Sequence, residues 1–160
     1  MSSTSLPIKI ENFLTEDDFT QLKKLTLFLG KRKFMMDWDP LFERYSAHNI
    51  SPLVQLLPKI ETRLAGLFNL ERLKFKFCFY SHYTTEGVCP PHVDKKECTW
   101  SLNLCLHQPF SWPLFIDGNA YDLKDNEAVF YKGSELKHWR NKNDSGKECD
   151  VCVFLFEEQE

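Results

Sequence analysis

Cys89-Pro90-Pro91-His92-Val93-Asp94 places an imidazole and a carboxylate two residues apart. In an extended chain, alternation sends both side chains to the same side of the backbone. Together they are two ligands for a divalent metal. A third is offered downstream by His138, within Gly133-Ser134-Glu135-Leu136-Lys137-His138-Trp139-Arg140. Two histidines and one carboxylate on one face, with the other positions open, form the ligand set of non-haem Fe(II) centres. Such a centre requires a scaffold that returns His138 to the side of His92 and Asp94.

The surrounding pattern supplies one. From about Leu73 the hydrophobic period is two, and the strand around Phe77-Cys78-Phe79-Tyr80-Ser81-His82-Tyr83 leads through a turn with Gly87 into His92 and Asp94. Further strands are expected at about 98–106, 113–117, 120–124, 127–131 and 149–156, with Asp117-Gly118-Asn119 as a hairpin turn. The strand at 99–106 puts Thr99, Ser101, Asn103 and Cys105 on one face and Trp100, Leu102, Leu104 and Leu106 on the other. A strand set between a core and a polar cavity has that pattern. Alternation therefore nominates Ser101 and Asn103 as cavity lining.

The first half reads differently. Residues 6–14 alternate well enough for a short strand. Thr15-Glu16-Asp17-Asp18 is a helix start, with Phe19, Leu22, Leu25 and Leu29 at helical spacing and Gly30 at the end. Lys31-Arg32-Lys33 reads as a solvated last turn facing the helix dipole, with a docking role as the alternative. Residues 34–50 are dense in aromatics and broken by Pro40. They read as a loop or short helix over the sheet, or as a lid over a pocket. Ser51-Pro52 then opens an amphipathic helix through Leu53, Leu56, Leu57, Ile60, Leu64 and Leu67, ending near residues 66–69. Helices followed by a run of strands predict an α+β fold with a closed or sandwiched sheet.

Composition sets the bounds. The 160 residues, 42% hydrophobic with 14 Phe, suit one domain (1–160) with an aromatic core. A net charge of −3 provides no field for nucleic acid or a membrane surface, and no apolar run spans a bilayer. Met1-Ser2-Ser3-Thr4-Ser5-Leu6 has no basic start followed by an apolar run. The six Cys, several of them inside apolar strands, therefore read as reduced, and the expected location is cytoplasmic.

Taken in order, Tyr83, Gly87, Pro91-His92-Val93-Asp94, the 99–106 strand, residues 123–131 and His138 resemble the 2-oxoglutarate/Fe(II)-dependent dioxygenases with a double-stranded β-helix (jelly-roll, cupin-like) core. The resemblance covers about residues 73–156, and the mostly helical 1–70 is similar in style to the prolyl-4-hydroxylase-like branch. Cys98, Trp112-Pro113 and His138-Trp139-Arg140 resemble a subgroup of it. The resemblance implies Fe(II) held by His92, Asp94 and His138, with 2-oxoglutarate as cosubstrate and O2 as oxidant. It also implies a cation for the far carboxylate of 2-oxoglutarate, either Arg140 or Lys147, with Tyr83 as hydroxyl partner. Trp139 itself reads as core or, being beside a ligand, as pocket lining that would shield the iron. The implied reaction is hydroxylation of a C–H bond with release of succinate and CO2. Asp94 favours this over halogenation, which the superfamily performs with a small residue in that place. The chain departs from the pattern at Asn126-Glu127, where Gly-Asp is common, and at Lys95-Lys96, where the subgroup often has one Arg. The short chain implies an open site, and the substrate is open among peptide residues, amino acids and small metabolites.

Blander readings stand beside this one. Cys89, His92, Cys98 and His138 are a possible structural zinc set. Cys149 and Cys152, three apart in a strand, face opposite ways and read as core. His48, His82 and His107 read as polar residues at edges or loops, and Trp112 as core. The competing function is a non-catalytic cupin-like or zinc-stabilised metal-binding module.

Overall fold

The computed structural model describes residues 7–68 and 73–159. Leu6 and Asn69, at the ends of two expected elements, lie outside them. Among the described residues the elements run β1 (Ile8–Ile10), α1 (Glu16–Gly30), a 3-10 turn (Lys33–Met35), β2 (Asp37–Asp39), β3 (Arg44–His48), α2 (Ser51–Val54) and α3 (Leu57–Phe68). Then follow β4 (Leu73–Tyr83), β5 (Cys89–His92), β6 (Trp100–His107), β7 (Leu114–Ile116), β8 (Asn119–Tyr121), β9 (Ala128–Tyr131), β10 (His138–Arg140) and β11 (Cys149–Glu158). Seven strands form one sheet in the order β1-β9-β6-β11-β4-β3-β2, and four form a second in the order β5-β10-β7-β8. Neighbouring strands are antiparallel, and the two sheets face each other as a jelly roll.

The helices cover the outer face of the large sheet. Trp100, Leu102, Leu104 and Leu106 of β6 and Phe154 and Phe156 of β11 form one cluster with Leu22 and Leu29 of α1 and with Leu53, Leu57, Ile60 and Leu64 of α2–α3. Each side chain buried this fully contributes about 1.5–3 kcal/mol. Trp100 stacks flat on Phe130 with centroids 4.7 Å apart. The opposite face of β6 carries Ser101 and Asn103, as its alternation predicts, and these face the space between the sheets. Cys149 and Cys152 likewise go to opposite faces, and all six Cys are free and buried.

The local signals act where expected. Thr15 caps α1, its Oγ1 accepting from the Asp18 N–H at 3.2 Å. Of the three basic residues after α1, Arg32 closes the helix end by donating to the Phe28 carbonyl at 3.1 Å, while Lys33 lies 3.6 Å from Glu148 on the loop before β11. The β7–β8 hairpin turns on Asp117 and Gly118, both at positive φ (51° and 85°).

Three expectations change. Residues 34–50 are not a helix or a separate lid: β2 and β3 form a hairpin that extends the large sheet beyond β4. Arg44, Ser46 and His48 alternate with Tyr45 and Ala47 there, but the density of aromatics hides that period. The expected single helix from Ser51 breaks at Gln55 and Leu56 into α2 and α3. Pro58 has no N–H to donate to Val54, so a continuous helix would lose that bond. Residues 1–70, expected to be mostly helical support, also supply three of the seven strands of the large sheet. Among the described residues no helix is long and apolar enough to cross a membrane.

Candidate metal centre

Antiparallel pairing of β5 with β10 sets His92 directly opposite His138. Asp94 lies two residues past β5, and its N–H donates to the Gly133 carbonyl at 2.8 Å, which turns its carboxylate back between the two rings. Nε2 of His92 and Nε2 of His138 each lie 3.4 Å from Asp94 Oδ1, and the ring centroids are 4.3 Å apart. The three ligand atoms all lie within 4.8 Å of one another.

The outward ring nitrogens fix the inward ones. Nδ1 of His92 meets the Pro90 carbonyl and Nδ1 of His138 meets the Leu136 carbonyl, each at 2.8 Å. A carbonyl only accepts, so each Nδ1 carries a proton, and each Nε2 is the nitrogen left to take a metal. Gly133 supplies the space: a Cβ there would fall on the Asp94 carboxylate. Hydrogen bonding to Asp94 pushes His92 up to about 10, with Cys89 adding to the effect. Burial alone would raise Asp94, but its bonds to His138 and His92 outweigh this and hold it at about 2. A carboxylate kept ionised between two imidazole nitrogens is a cation site. The donor set and its open side fit a non-haem Fe(II) ion.

The centre opens on a cavity of about 350 Å3 between the sheets. Ser101 and Asn103 line it, as expected. Asn103 Nδ2 donates to Ser101 Oγ at 3.0 Å and to the Tyr131 hydroxyl at 3.2 Å. Tyr83 and Arg140 line it as well. Arg140 is 3% exposed, donates from Nη1 to the Trp112 carbonyl at 2.7 Å, and lies over the Trp112 ring at 4.9 Å. Tyr83 packs edge-on against Trp112 at 5.0 Å. Burial pushes the Tyr83 hydroxyl up to about 12, with Arg44 and Arg140 both pulling the other way.

Two expected site residues are not brought here. Lys147 is exposed on the loop before β11 and does not line the cavity. Trp139 sits between two inward residues of β10, so it faces outward and stacks on Phe115 with centroids 5.4 Å apart.

Other residues escaped the sequence reading. Tyr131 is fully buried, its ring edge-on to His138 at 5.0 Å, and burial holds its hydroxyl well above the ordinary phenol value. Its place in the β9 alternation was the available signal. Phe42, Arg44 and His48 come from the β2–β3 hairpin, whose strand period was masked. His82, expected at an edge or loop, is buried in α1's face of the large sheet. Its Nδ1 lies 2.7 Å from Asp150 and its Nε2 2.9 Å from Glu148, and the Tyr80 hydroxyl also donates to Asp150.

No family model and no curated protein matches the chain. Solved structures do. A prolyl-4-hydroxylase from Pseudomonas putida superposes with a TM-score of 0.74 at 14% identity, covering 99% of this chain and 95% of that one. The viral collagen prolyl hydroxylase of Paramecium Bursaria Chlorella virus-1, solved with 2-oxoglutarate, gives 0.73 at 10% identity over 100% and 99%. EctD from S. alaskensis, solved with bound Fe, gives 0.76 at 13% identity over 98% and 74%. The chain thus has the jelly-roll fold of the prolyl-4-hydroxylase-like Fe(II)/2-oxoglutarate oxygenases.

Proposed function

We propose that the protein is an Fe(II)- and 2-oxoglutarate-dependent dioxygenase. It hydroxylates a C–H bond of a small molecule, amino acid or peptide, consuming O2 and releasing succinate and CO2. One observation carries this reading: His92, Asp94 and His138 converge on the same cavity that a buried guanidinium, Arg140, enters from the same strand as His138. When bound, iron and 2-oxoglutarate supply the oxidant that replaces C–H by C–OH.

The chain's own residues do the positioning. His92 and His138, oriented by Pro90 and Leu136, present Nε2, and Asp94 supplies the one anionic ligand. Arg140 pairs with the far carboxylate of 2-oxoglutarate, its planar fork suited to two parallel bonds, with the Tyr83 hydroxyl nearby. Lys147 has no part in this anchor. Phe77, Phe79, Val153 and Leu155 line the cavity with apolar surface beside the centre. The free, buried state of the six cysteines supports a reducing, cytoplasmic setting.

The test is anaerobic addition of Fe(II) and 2-oxoglutarate to the purified protein. A weak metal-to-ligand charge-transfer band in the visible is expected, absent in Asp94→Ala. Tight zinc binding with no band would instead establish the non-catalytic metal-binding module.

A further inference from the structure

The charges in the cavity are unequal. Among its lining residues Asp94 is the one carboxylate, against Arg44, Lys95 and Arg140. On the dioxygenase reading, a divalent metal and Arg140 cancel the charges of Asp94 and the dianionic cosubstrate. Arg44 and the exposed Lys95 remain without a counterion inside the cavity.

Arg44 is built in rather than trailing in solvent. Its side chain is 15% exposed. The guanidinium carbon lies 4.0 Å from the Phe42 ring centroid, 5.2 Å from Phe79 and 5.6 Å from Tyr83. Stacking on three rings orients the fork without consuming its N–H groups. Among the described residues its one hydrogen bond is from Nη1 to the Tyr83 hydroxyl at 3.2 Å, and Nε is buried with none. Asp39 Oδ2 stands 3.4 Å from Nε, while Asp39 Oδ1 accepts from the Leu41 and Phe42 N–H groups at 3.1 and 3.4 Å. Asp39 thus holds the hairpin turn. It pairs with Arg44 at Nε from outside the cavity and leaves the terminal nitrogens of the fork with one hydrogen bond, to Tyr83.

The neighbours of Arg44 describe what it would hold. The Phe42 ring lies between the guanidinium and the centre, edge-on to His92 at 6.0 Å. His48, Phe77 and Phe79 continue the same wall, with Phe77 and Phe79 stacked at 6.1 Å and His48 5.5 Å from Phe79. An anion on Arg44 therefore lays the rest of its molecule along an aromatic surface beside a metal ligand. The cavity, about 350 Å3, is at the small end of the roughly 300–1,000 Å3 typical of small-molecule sites.

We propose that Arg44 is the carboxylate receptor for the primary substrate, and that this substrate is a small organic acid with an apolar body. The assignment rests on the dioxygenase reading for the role given to Arg140.

The experiment measures binding by calorimetry to wild-type, Arg44→Met and Arg44→Lys proteins. Each is taken metal-free and, anaerobically, with Fe(II) and 2-oxoglutarate. The probes are 3-phenylpropionate and N-acetylphenylalanine, each against its amide, and a tetrapeptide ending in phenylalanine with free or amidated terminus. The small acids should bind roughly tenfold to a hundredfold more tightly than their amides, as expected for charge-assisted hydrogen bonds. Arg44→Met should remove that preference and Arg44→Lys should keep part of it. Equal binding of acids and amides, or no binding of any acid to wild-type protein, overturns the proposal. Binding of the free-terminus tetrapeptide alone overturns the small-acid assignment. Loss of 2-oxoglutarate affinity in Arg44→Met, matching the loss of acid binding, moves Arg44 to the cosubstrate anchor and also overturns it. The charge-transfer band in wild-type protein reports separately on the dioxygenase reading. Without it, that reading fails, while the acid–amide comparison on metal-free protein still decides the role of Arg44.

Discussion

Gly133 touches Asp94 twice: its carbonyl accepts the Asp94 N–H at 2.8 Å, and its missing Cβ leaves the place where the Asp94 carboxylate lies. Gly133→Ala should therefore displace a ligand while leaving the core intact. Metal affinity should fall about 10–100-fold, as for loss of other groups that orient ligands, with the melting temperature nearly unchanged. A metal titration beside a thermal melt checks this, and unchanged affinity would show that the carboxylate has room to move.

Arg140 and Lys147 were alternatives from sequence, and their placement separates them. Arg140→Met should weaken 2-oxoglutarate binding about tenfold to a hundredfold, from the loss of charged hydrogen bonds. Lys147→Ala should leave it unchanged. Calorimetric titration of both variants, with the metal present, ranks them. The reverse order would return the anchor to the loop before β11.

Asn126 ties the start of the chain to the jelly roll. At φ 64° its side chain accepts from the Leu14 N–H at 3.0 Å and donates to the Leu14 carbonyl at 2.9 Å. Asn126→Gly tolerates the dihedral and loses both bonds, so it should cost about 1–3 kcal/mol by chemical denaturation. Asn126→Ala should cost about 1 kcal/mol more, from the left-handed backbone.

His82 makes stability depend on pH. Burial alone would lower its pKa, but Asp150 and Glu148 outweigh this and raise it above the ordinary histidine value of 6.5. The folded state thus holds the proton more tightly than the unfolded one. The resulting stability is fully present below about pH 6.5 and is lost as pH rises through the folded value. Melting curves should show wild type exceeding His82→Gln by most at acidic pH, the gap narrowing towards alkaline pH. A constant gap would mean that the ring stabilises by packing alone.

What was legible in the sequence followed from local period. His92 and Asp94 share a side because extended chain alternates, and the same rule put Ser101 and Asn103 in the cavity and Trp100 and Leu102 in the core. Tyr83 and Arg140 entered through resemblance and both line the cavity. The misses needed tertiary knowledge. Trp139 stands beside a ligand in sequence, yet alternation turns it outward. Lys147 has the right chemistry and distance along the chain, but its loop holds it in solvent. Arg44 lay in a stretch where Trp38, Phe42 and Tyr45 obscured a five-residue strand. His82 gave no sign of its partners, since Glu148 and Asp150 are 66 and 68 residues away.

The two sheets divide inheritance as well as space. His92, His138 and Arg140 belong to paired strands of the four-stranded sheet, whereas Phe42 and Arg44 ride on a hairpin that, among the described residues, joins the other sheet through β4 and bonds to the turn after it. Changes confined to residues 37–48 would reshape one wall of the cavity and leave the pairing of His92 with His138 in place, with the Phe42–His92 contact as the link between the two. A library varied in that hairpin alone would show how far this wall can change before the site loses its metal.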